Sequence, residues 1–179
     1  PAVVALESGT ALPVRAELAP FDLVDTRGEP VNPAKLRGHP TLVFFGFTYC
    51  PDVCPTTLAL LAAVQKEAKL PGLKVALITV DPERDTPEQL GKYISSFGGD
   101  FIGLTGTPPE IVKAQRSFGV AASRVELAGG GYTMDHSATV FLLDADARKV
   151  AVFTPPLRAA ALARDLGKLA PQLTAGTTS

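Results

Sequence analysis

Cysteine, histidine and methionine are scarce in this chain of 179 residues, which contains two cysteines, two histidines and one methionine. Two cysteines are too few for the disulfide framework of a small secreted domain, which normally contains several pairs. The single methionine is Met134, so the first residue, Pro1, is not a translation start. We therefore expect that a segment has been removed from the front of the chain, with a signal peptide and a membrane anchor as the two candidates.

Long apolar runs and blocks of one charge are also missing. No apolar run reaches the roughly 20 residues that a helix needs to cross a bilayer, so we expect a domain that does not span a membrane. The 17 basic and 18 acidic residues are scattered along the chain and leave a formal net charge of −1. Because there is no basic block, the sequence predicts neither nucleic-acid binding nor a polybasic membrane patch.

The composition that remains is that of one packed globular domain. The chain is 46% hydrophobic and 20% charged, which is ordinary for a globular protein and too apolar for a disordered one. Its length lies within the range of a single domain and allows a sizeable core. Residues 1–19 show no clear periodicity, and we interpret them as a loosely held lead-in. Residues 20–175 are predicted to form the domain.

The apolar pattern predicts strands that alternate with helices. Continuous apolar runs at 40–47 and 74–80 are typical of strands buried on both faces. Thr86 and Thr107 are each followed by proline, which predicts that a helix begins after each threonine. The other predicted elements are a hairpin at 21–32, a helix at 55–70, a short strand at 101–104, a glycine-rich loop at 127–135, a hairpin of strands 136–144 and 149–155, and a closing helix at 157–170. This order predicts an α/β fold, a mixed sheet with helices on both faces.

Both cysteines lie in the stretch "FTYCPDVCPT", residues 47–56. Cys50 follows a predicted buried strand, and Cys54 directly precedes Pro55, which can be the first residue of the next helix. Functional crevices of open α/β sheets lie at such strand ends, and a helix N-terminus should favour thiolates. Thiolates both attack disulfides and bind metals. The position is therefore compatible with a disulfide switch or with half of a metal site, and two packed thiols remain the third interpretation.

A histidine is the third residue to consider. His39 lies in a polar turn and is interpreted as solvent-facing, whereas His136 is predicted to open a strand after the glycine-rich loop. A histidine there is either a hydrogen-bonded structural residue or a ligand. If His136 meets Cys50 and Cys54, two thiolates and one imidazole suit Cu(I) and also accommodate Cu(II). Because the chain has no third cysteine, a structural zinc site is not expected.

Several acidic residues flank these candidates. Asp81 and Asp85, in "DPERDTP", are interpreted as turn and cap groups, with the orientation of a docking partner as the alternative. Asp135 either hydrogen-bonds the neighbouring His136 or points to water. Asp52, between the cysteines, either tunes the charge of the site or is solvated.

Three motifs together resemble the Sco/SenC family of thioredoxin-fold copper proteins. They are "FTYCPDVCPTT", "VDPERDTPEQL" and "DHSATVFLLD", in this order, and the resemblance covers nearly all of the chain after the lead-in. It implies a thioredoxin-like mixed sheet flanked by helices, with an N-terminal hairpin. It also implies that Cys50, Cys54 and His136 bind copper, as Cu(I) or Cu(II).

The resemblance further implies a metallochaperone that delivers copper to the dinuclear copper centre of cytochrome c oxidase. The expected partner is the copper-accepting subunit of the oxidase, with other copper chaperones or thiol oxidoreductases as additional partners. The expected location is the periplasm or the outer face of an energy-transducing membrane. Contact with the membrane would then be made only through an N-terminal anchor that this chain lacks.

Two enzymatic functions are alternatives to the metallochaperone. In a thiol–disulfide oxidoreductase, Cys50 and Cys54 would be the catalytic redox pair that keeps the acceptor's copper-ligand cysteines reduced. His136 would then be a bystander or a proton carrier. A peroxidase-type thiol enzyme is suggested by the opening "FDLVDTRGEPVN…LRG", but no clear activating arginine lies near the cysteines. We expect a metallochaperone, and an enzyme only in the oxidoreductase sense.

Overall fold

The structure is a computed structural model that describes residues 5–50, 53–136 and 138–173. For Val53, Asp135 and His136 it describes the backbone alone. The strands in the described residues are β1 (Gly9–Glu17), β2 (Leu23–Asp25), β3 (Pro30–Val31), β4 (Thr41–Gly46), β5 (Lys74–Thr79), β6 (Phe101–Thr105), β7 (Ala122–Glu126), β8 (Tyr132–His136), β9 (Val140–Leu143) and β10 (Arg148–Phe153). The α-helices are α1 (Val53–Glu67), α2 (Pro87–Ser95), α3 (Pro108–Phe118) and α4 (Ala159–Leu169).

Eight strands form one mixed sheet in the order β1-β10-β9-β4-β5-β6-β2-β3. β4, β5 and β6 are parallel to one another, and the remaining pairs are antiparallel. β2 and β3 form the predicted N-terminal hairpin. β7 and β8 pair only with each other, as a separate hairpin. The predicted mixed sheet is therefore confirmed, with β4 and β5 at its centre.

Helices cover both faces of this sheet because β4 is apolar on both sides. Every residue of β4 is buried. Phe45 faces α3, where its ring lies 5.4 Å from the ring of Phe118. Phe44 and Gly46 face the opposite side, where Gly46 lies against Cys54 of α1. α4 packs against α1 on that side. The central part of the sheet thus has a layer of buried apolar side chains on each face.

The two helices predicted from Thr-Pro signals begin as expected, at Pro87 and Pro108. The Thr86 hydroxyl accepts a hydrogen bond from the Gln89 N–H at 3.2 Å, as an N-cap does. Thr107 has the same extended backbone but makes no side-chain cap bond with the described residues. α1 begins at Val53, two residues before the predicted Pro55, so Cys54 lies inside the helix. No helix in the described part of the chain is both long and apolar enough to cross a membrane.

The predicted lead-in contains an ordered strand that sequence analysis missed. Gly9–Glu17 forms β1, which pairs with β10 at the edge of the sheet. Its register shifts between Ala11 and Ala16, so the alternation that identifies a strand is interrupted. The expectation of a loosely held segment is therefore wrong for this part of residues 1–19. The boundary of the domain (20–175) stays a prediction, and residues 174 and 175 lie outside the described part.

The segment before β9 also differs from the prediction. His136 does not open the strand that continues to residue 144; it ends β8, and β9 begins at Val140. The glycine-rich loop is shorter than predicted, because Tyr132–His136 pairs with β7. Gly130 and Gly131 have φ values of 92° and 76°, and this left-handed backbone makes the hairpin turn. Pairing with the neighbouring strand β7 thus overrode the local pattern.

Candidate metal centre

The two cysteines lie together where β4 leads into α1. Cys50 is half-buried, and its N–H donates to the Phe47 carbonyl at 3.2 Å. Cys54 is fully buried in the first turn of α1, and its N–H donates to the Cys50 sulfur at 3.3 Å. Both residues are thiols in this structure. One helix start therefore carries two adjacent sulfurs, which suits them to bind one ion or to form a disulfide.

Cys54 occupies a tight apolar pocket. A Cβ atom on Gly46 would lie 3.0 Å from the Cys54 sulfur, so the absence of a side chain at Gly46 makes room for the thiol. Burial raises the pKa of Cys54 far above its ordinary value, and the hydrogen bond with Cys50 raises it further. The expectation that the helix N-terminus favours a thiolate is therefore wrong for Cys54, because burial outweighs the helix dipole. Binding of a metal ion at this sulfur would displace its proton.

His136 is placed by its backbone alone. It is the last residue of β8 and pairs with Ala122 of β7. Its side chain, like that of Asp135, lies outside the described residues, and so does Asp52. Within the described side chains, no group of three or more histidine, cysteine, aspartate and glutamate residues could hold a metal ion. The meeting of His136 with the cysteines thus stays a prediction.

The other histidine has a separate role. His39 precedes β4, and its Nδ1 lies 3.1 Å from the Thr41 hydroxyl. This local contact at the start of β4 agrees with the interpretation of His39 as a turn residue. Its position makes it a natural control for His136.

Asp85 anchors the cysteine segment to the sheet. Its buried carboxylate accepts hydrogen bonds from the Thr48 N–H at 2.9 Å, the Thr48 hydroxyl at 2.5 Å and the Thr79 hydroxyl at 2.7 Å. Burial raises the pKa of Asp85, although the hydrogen bonds from Thr48 and Thr79 oppose the rise. Thr48 lies two residues before Cys50. The interpretation of Asp85 as a turn group was therefore incomplete: its side chain ties the β4–α1 loop to the end of β5.

Asp81 connects a different pair of elements. It is 3% exposed, and its carboxylate accepts from Arg84 Nε at 2.5 Å and from the Tyr132 hydroxyl at 2.8 Å. Tyr132 opens β8, so Asp81 joins the β5–α2 turn to the hairpin that ends in His136. Its carboxylate is committed inside the protein and is not an exposed docking group.

Sequence analysis missed two residues near the site, Arg84 and Tyr93. The Arg84 guanidinium lies between the rings of Tyr49 and Tyr132, 4.5 and 3.7 Å from their centroids. Tyr93 lies on α2, and its buried hydroxyl has no hydrogen-bond partner among the described residues. Burial raises the pKa of Tyr93, and the two cysteines raise it further, as expected of a phenol close to them. Helical periodicity predicts Tyr93 on the core face of its helix, which the structure confirms, but it does not predict a position near the cysteines. No local signal identifies Arg84, because its contacts come from separate segments.

Replacement of Tyr93 by phenylalanine is expected to stabilise the fold. An unsatisfied buried hydroxyl carries a desolvation penalty, so its removal should raise the free energy of unfolding by about 1 kcal/mol. Urea denaturation measures the change. Tyr132→Phe is the matched control, because the hydroxyl of Tyr132 is bonded to Asp81, and its loss should destabilise by about 1 kcal/mol. Equal losses in both variants would mean that the Tyr93 hydroxyl has a partner.

Comparisons with known proteins agree with this arrangement. An SCO2-like protein of Rickettsia prowazekii is 42% identical over 134 residues, which are 72% of this chain and 65% of that protein. The chain thus covers less than two thirds of this relative's length. The crystal structure of Arabidopsis thaliana ScoI with copper bound has a TM-score of 0.84 at 34% identity, over 88% of this chain and 99% of that one. The structure of Bradyrhizobium japonicum ScoI with copper bound has a TM-score of 0.77 at 42% identity, over 86% of this chain and 99% of that one.

The fold and the family follow from these matches. The superposition on Sco structures confirms the thioredoxin-like mixed sheet flanked by helices. The matched part of the chain begins within β1 and ends after α4, so it includes both cysteines, the β5–α2 turn and the hairpin that ends in His136. Since residues 10–171 match the sequence model of SCO1/SenC, the chain belongs to the SCO1/SenC family.

Proposed function

We propose that this protein is a copper metallochaperone that holds Cu(I) or Cu(II) through Cys50, Cys54 and His136. It would deliver the ion to the dinuclear copper centre of cytochrome c oxidase. The observation that carries the proposal is the hydrogen bond from the Cys54 N–H to the Cys50 sulfur, which places two soft donors at one helix start. Two related Sco proteins have been solved with copper bound, which supports copper as the cargo here.

The donor set suits copper for a chemical reason. Thiolates select Cu(I), and an imidazole added to them also accommodates Cu(II). The high pKa of Cys54 means that copper binding displaces a proton from a buried sulfur.

Delivery would take place on the side of Cys50. Cys50 is half-buried, whereas Cys54 is fully buried, so an incoming ligand would reach Cys50 first. Tyr49, the residue directly before Cys50, is 57% exposed and offers an aromatic surface to a partner. The proposed recipient is the copper-accepting subunit of cytochrome c oxidase, with other copper chaperones or thiol oxidoreductases as further partners. The proposed location is the periplasm or the outer face of an energy-transducing membrane.

A thiol–disulfide oxidoreductase is the second candidate, and the contact between the two thiols favours it. The hydrogen bond from the Cys54 N–H to the Cys50 sulfur brings the pair within reach of a disulfide. Oxidation would remove both sulfur ligands at once, so the redox state would control copper binding. The enzyme would keep the acceptor's copper-ligand cysteines reduced.

The proposal predicts that the reduced protein, mixed with one equivalent of Cu(II), develops a sulfur-to-copper charge-transfer absorption. The band should weaken in Cys50→Ser and in Cys54→Ser, because each variant keeps only one of the two thiolates. It should be absent from wild-type protein oxidised to the disulfide before copper is added. If the reduced wild-type protein gives no band while its cysteines still cycle between dithiol and disulfide, the metallochaperone proposal fails and the oxidoreductase remains.

A further inference from the structure

We propose that Arg84 is a positioning residue that fixes the β7–β8 hairpin, which ends in His136, against the segment that carries Cys50. The inference rests on the proposed function, in which His136 and the cysteines share one copper ion. It concerns an arginine outside the proposed ligand set and assigns it the task of holding the two halves of that set together.

The β7–β8 hairpin lies beside the main sheet and is not part of it. β7 and β8 pair only with each other and add no strand to the eight-stranded sheet. A cavity of about 210 Å³ lies between the hairpin, the β5–α2 turn and α3. Ala122 and Met134 line it from the hairpin, and Ile111 and Gln115 line it from α3. Ala122 and Met134 also pack against the core. Because the cavity leaves part of this boundary unfilled, the polar contacts at the β5–α2 turn add to what holds the hairpin in place.

Arg84 makes these contacts from the β5–α2 turn. Its Nε donates to Asp81 at 2.5 Å, and a terminal nitrogen donates to the Tyr132 carbonyl at 2.9 Å. The Tyr132 hydroxyl donates to the same Asp81 carboxylate at 2.8 Å, which closes a ring of three residues. The guanidinium thus binds β8 at its first residue, and His136 is the last residue of that five-residue strand.

The same guanidinium also contacts the cysteine segment. Its carbon lies 4.5 Å from the ring centroid of Tyr49 and 3.7 Å from that of Tyr132, so it is stacked between the two rings. Tyr49 is the residue directly before Cys50. A single side chain therefore bridges the loop of one proposed ligand and the hairpin of another.

One nitrogen of Arg84 has no hydrogen-bond partner in the described part of the chain. It is the second terminal nitrogen, and it is buried. Buried donors without acceptors are rare in native structures, since each carries a desolvation penalty. This nitrogen belongs to the residue that contacts both proposed ligand segments.

Arg84→Met tests the inference, with Arg124→Met as the matched control. Arg124 also stacks on Tyr132, at 3.7 Å, but it belongs to β7 and so lies within the hairpin itself. Its ion pairs with Glu83 and Glu126 are exposed and contribute little. Both variants lose one guanidinium from the face of the same ring. Only Arg84→Met loses the bridge to the cysteine segment.

The measurements are hydrogen exchange of the metal-free proteins, Cu(II) affinity and the nitrogen coupling in the Cu(II) electron paramagnetic resonance spectrum. In Arg84→Met, the β7 and β8 amides should exchange about tenfold faster or more, while the β4 and β5 amides keep their wild-type rates. Cu(II) affinity should fall by about 10- to 100-fold, as it does on loss of a residue that orients a ligand. The nitrogen coupling should weaken, and the sulfur-to-copper band should persist. In Arg124→Met, the hairpin exchange rates and the Cu(II) affinity should both stay within about twofold of the wild-type values.

Arg84→Lys provides a second test that does not depend on how well Arg84→Met folds. Lysine keeps a charge beside Asp81 but cannot also reach the Tyr132 carbonyl and stack between the rings, so its affinity should fall between those of wild type and Arg84→Met. Equal exchange and affinity in the Arg84 and Arg124 variants would overturn the inference, as would faster exchange throughout β4 and β5. Failure of the wild-type protein to bind Cu(II) would instead overturn the proposed function, and the hairpin amides would still report whether Arg84 holds the hairpin.

Discussion

Replacement of His136 by alanine is expected to weaken Cu(II) binding by more than about 100-fold. Residues that merely orient a ligand change affinity by about 10- to 100-fold, so loss of a ligand should exceed that range. Cu(II) depends on the imidazole more than Cu(I) does, because thiolates alone satisfy the softer ion. Competition titrations against a chelator of known affinity measure the loss for each oxidation state, which should be smaller for Cu(I).

His39→Ala is the control for this experiment. His39 contacts Thr41 at the start of β4, so its removal should leave copper affinity unchanged. The dithiol of His136→Ala should still oxidise and reduce, because Cys50 and Cys54 are untouched. Retention of wild-type Cu(II) affinity by His136→Ala would contradict the three-ligand site. It would leave the cysteines as a redox pair with a histidine bystander.

Replacement of Asp85 by alanine is expected to lower the free energy of unfolding by about 3 kcal/mol. The substitution leaves the Thr48 N–H, the Thr48 hydroxyl and the Thr79 hydroxyl without their acceptor. Each buried donor without a partner costs about 1–3 kcal/mol. The substitution also removes the desolvation penalty of the buried carboxylate, which offsets part of the total cost of the three donors. Urea denaturation measures the loss.

Asp100→Ala is the control for Asp85→Ala. The Asp100 carboxylate is 59% exposed and pairs with Lys74, and exposed pairs contribute about 0–1 kcal/mol. The pH dependence gives a further check. Burial raises the pKa of Asp85 in the folded protein. The difference in free energy of unfolding between wild type and Asp85→Ala should therefore be largest at low pH and should decrease as the pH rises through the folded-state pKa. Equal losses from Asp85→Ala and Asp100→Ala would show that Asp85 is not an anchor.

Local signals predicted the centre of the fold well. The apolar runs that became β4 and β5 are continuous, and the threonine–proline pairs at Thr86 and Thr107 mark helix starts within a few residues. The edge strand β1 was missed because its register shift interrupts the alternation. Most of β8 was predicted as part of the glycine-rich loop at 127–135, and β7 was given no element, because these two strands are defined by their pairing with each other.

The candidate site, like the fold, was predicted only where the signals are local in sequence. Cys50 and Cys54 are four residues apart, so a strand end and a helix start sufficed to bring them together. The raised pKa of Cys54 was not foreseen, because it depends on burial against β4. Arg84 was not foreseen either, because its role depends on Tyr49 and Tyr132, which come from separate segments. His136 was selected by motif resemblance, and its place beside the sulfurs stays a prediction.

Copper-edge X-ray absorption of the stoichiometric Cu(II) complex tests the central claim most directly, since it counts the atoms bound to the ion. A site made of Cys50, Cys54 and His136 predicts two sulfur neighbours and at least one imidazole nitrogen, with the imidazole signal lost in His136→Ala and kept in His39→Ala. A spectrum with a single sulfur, or with no imidazole in the wild-type complex, would contradict the account.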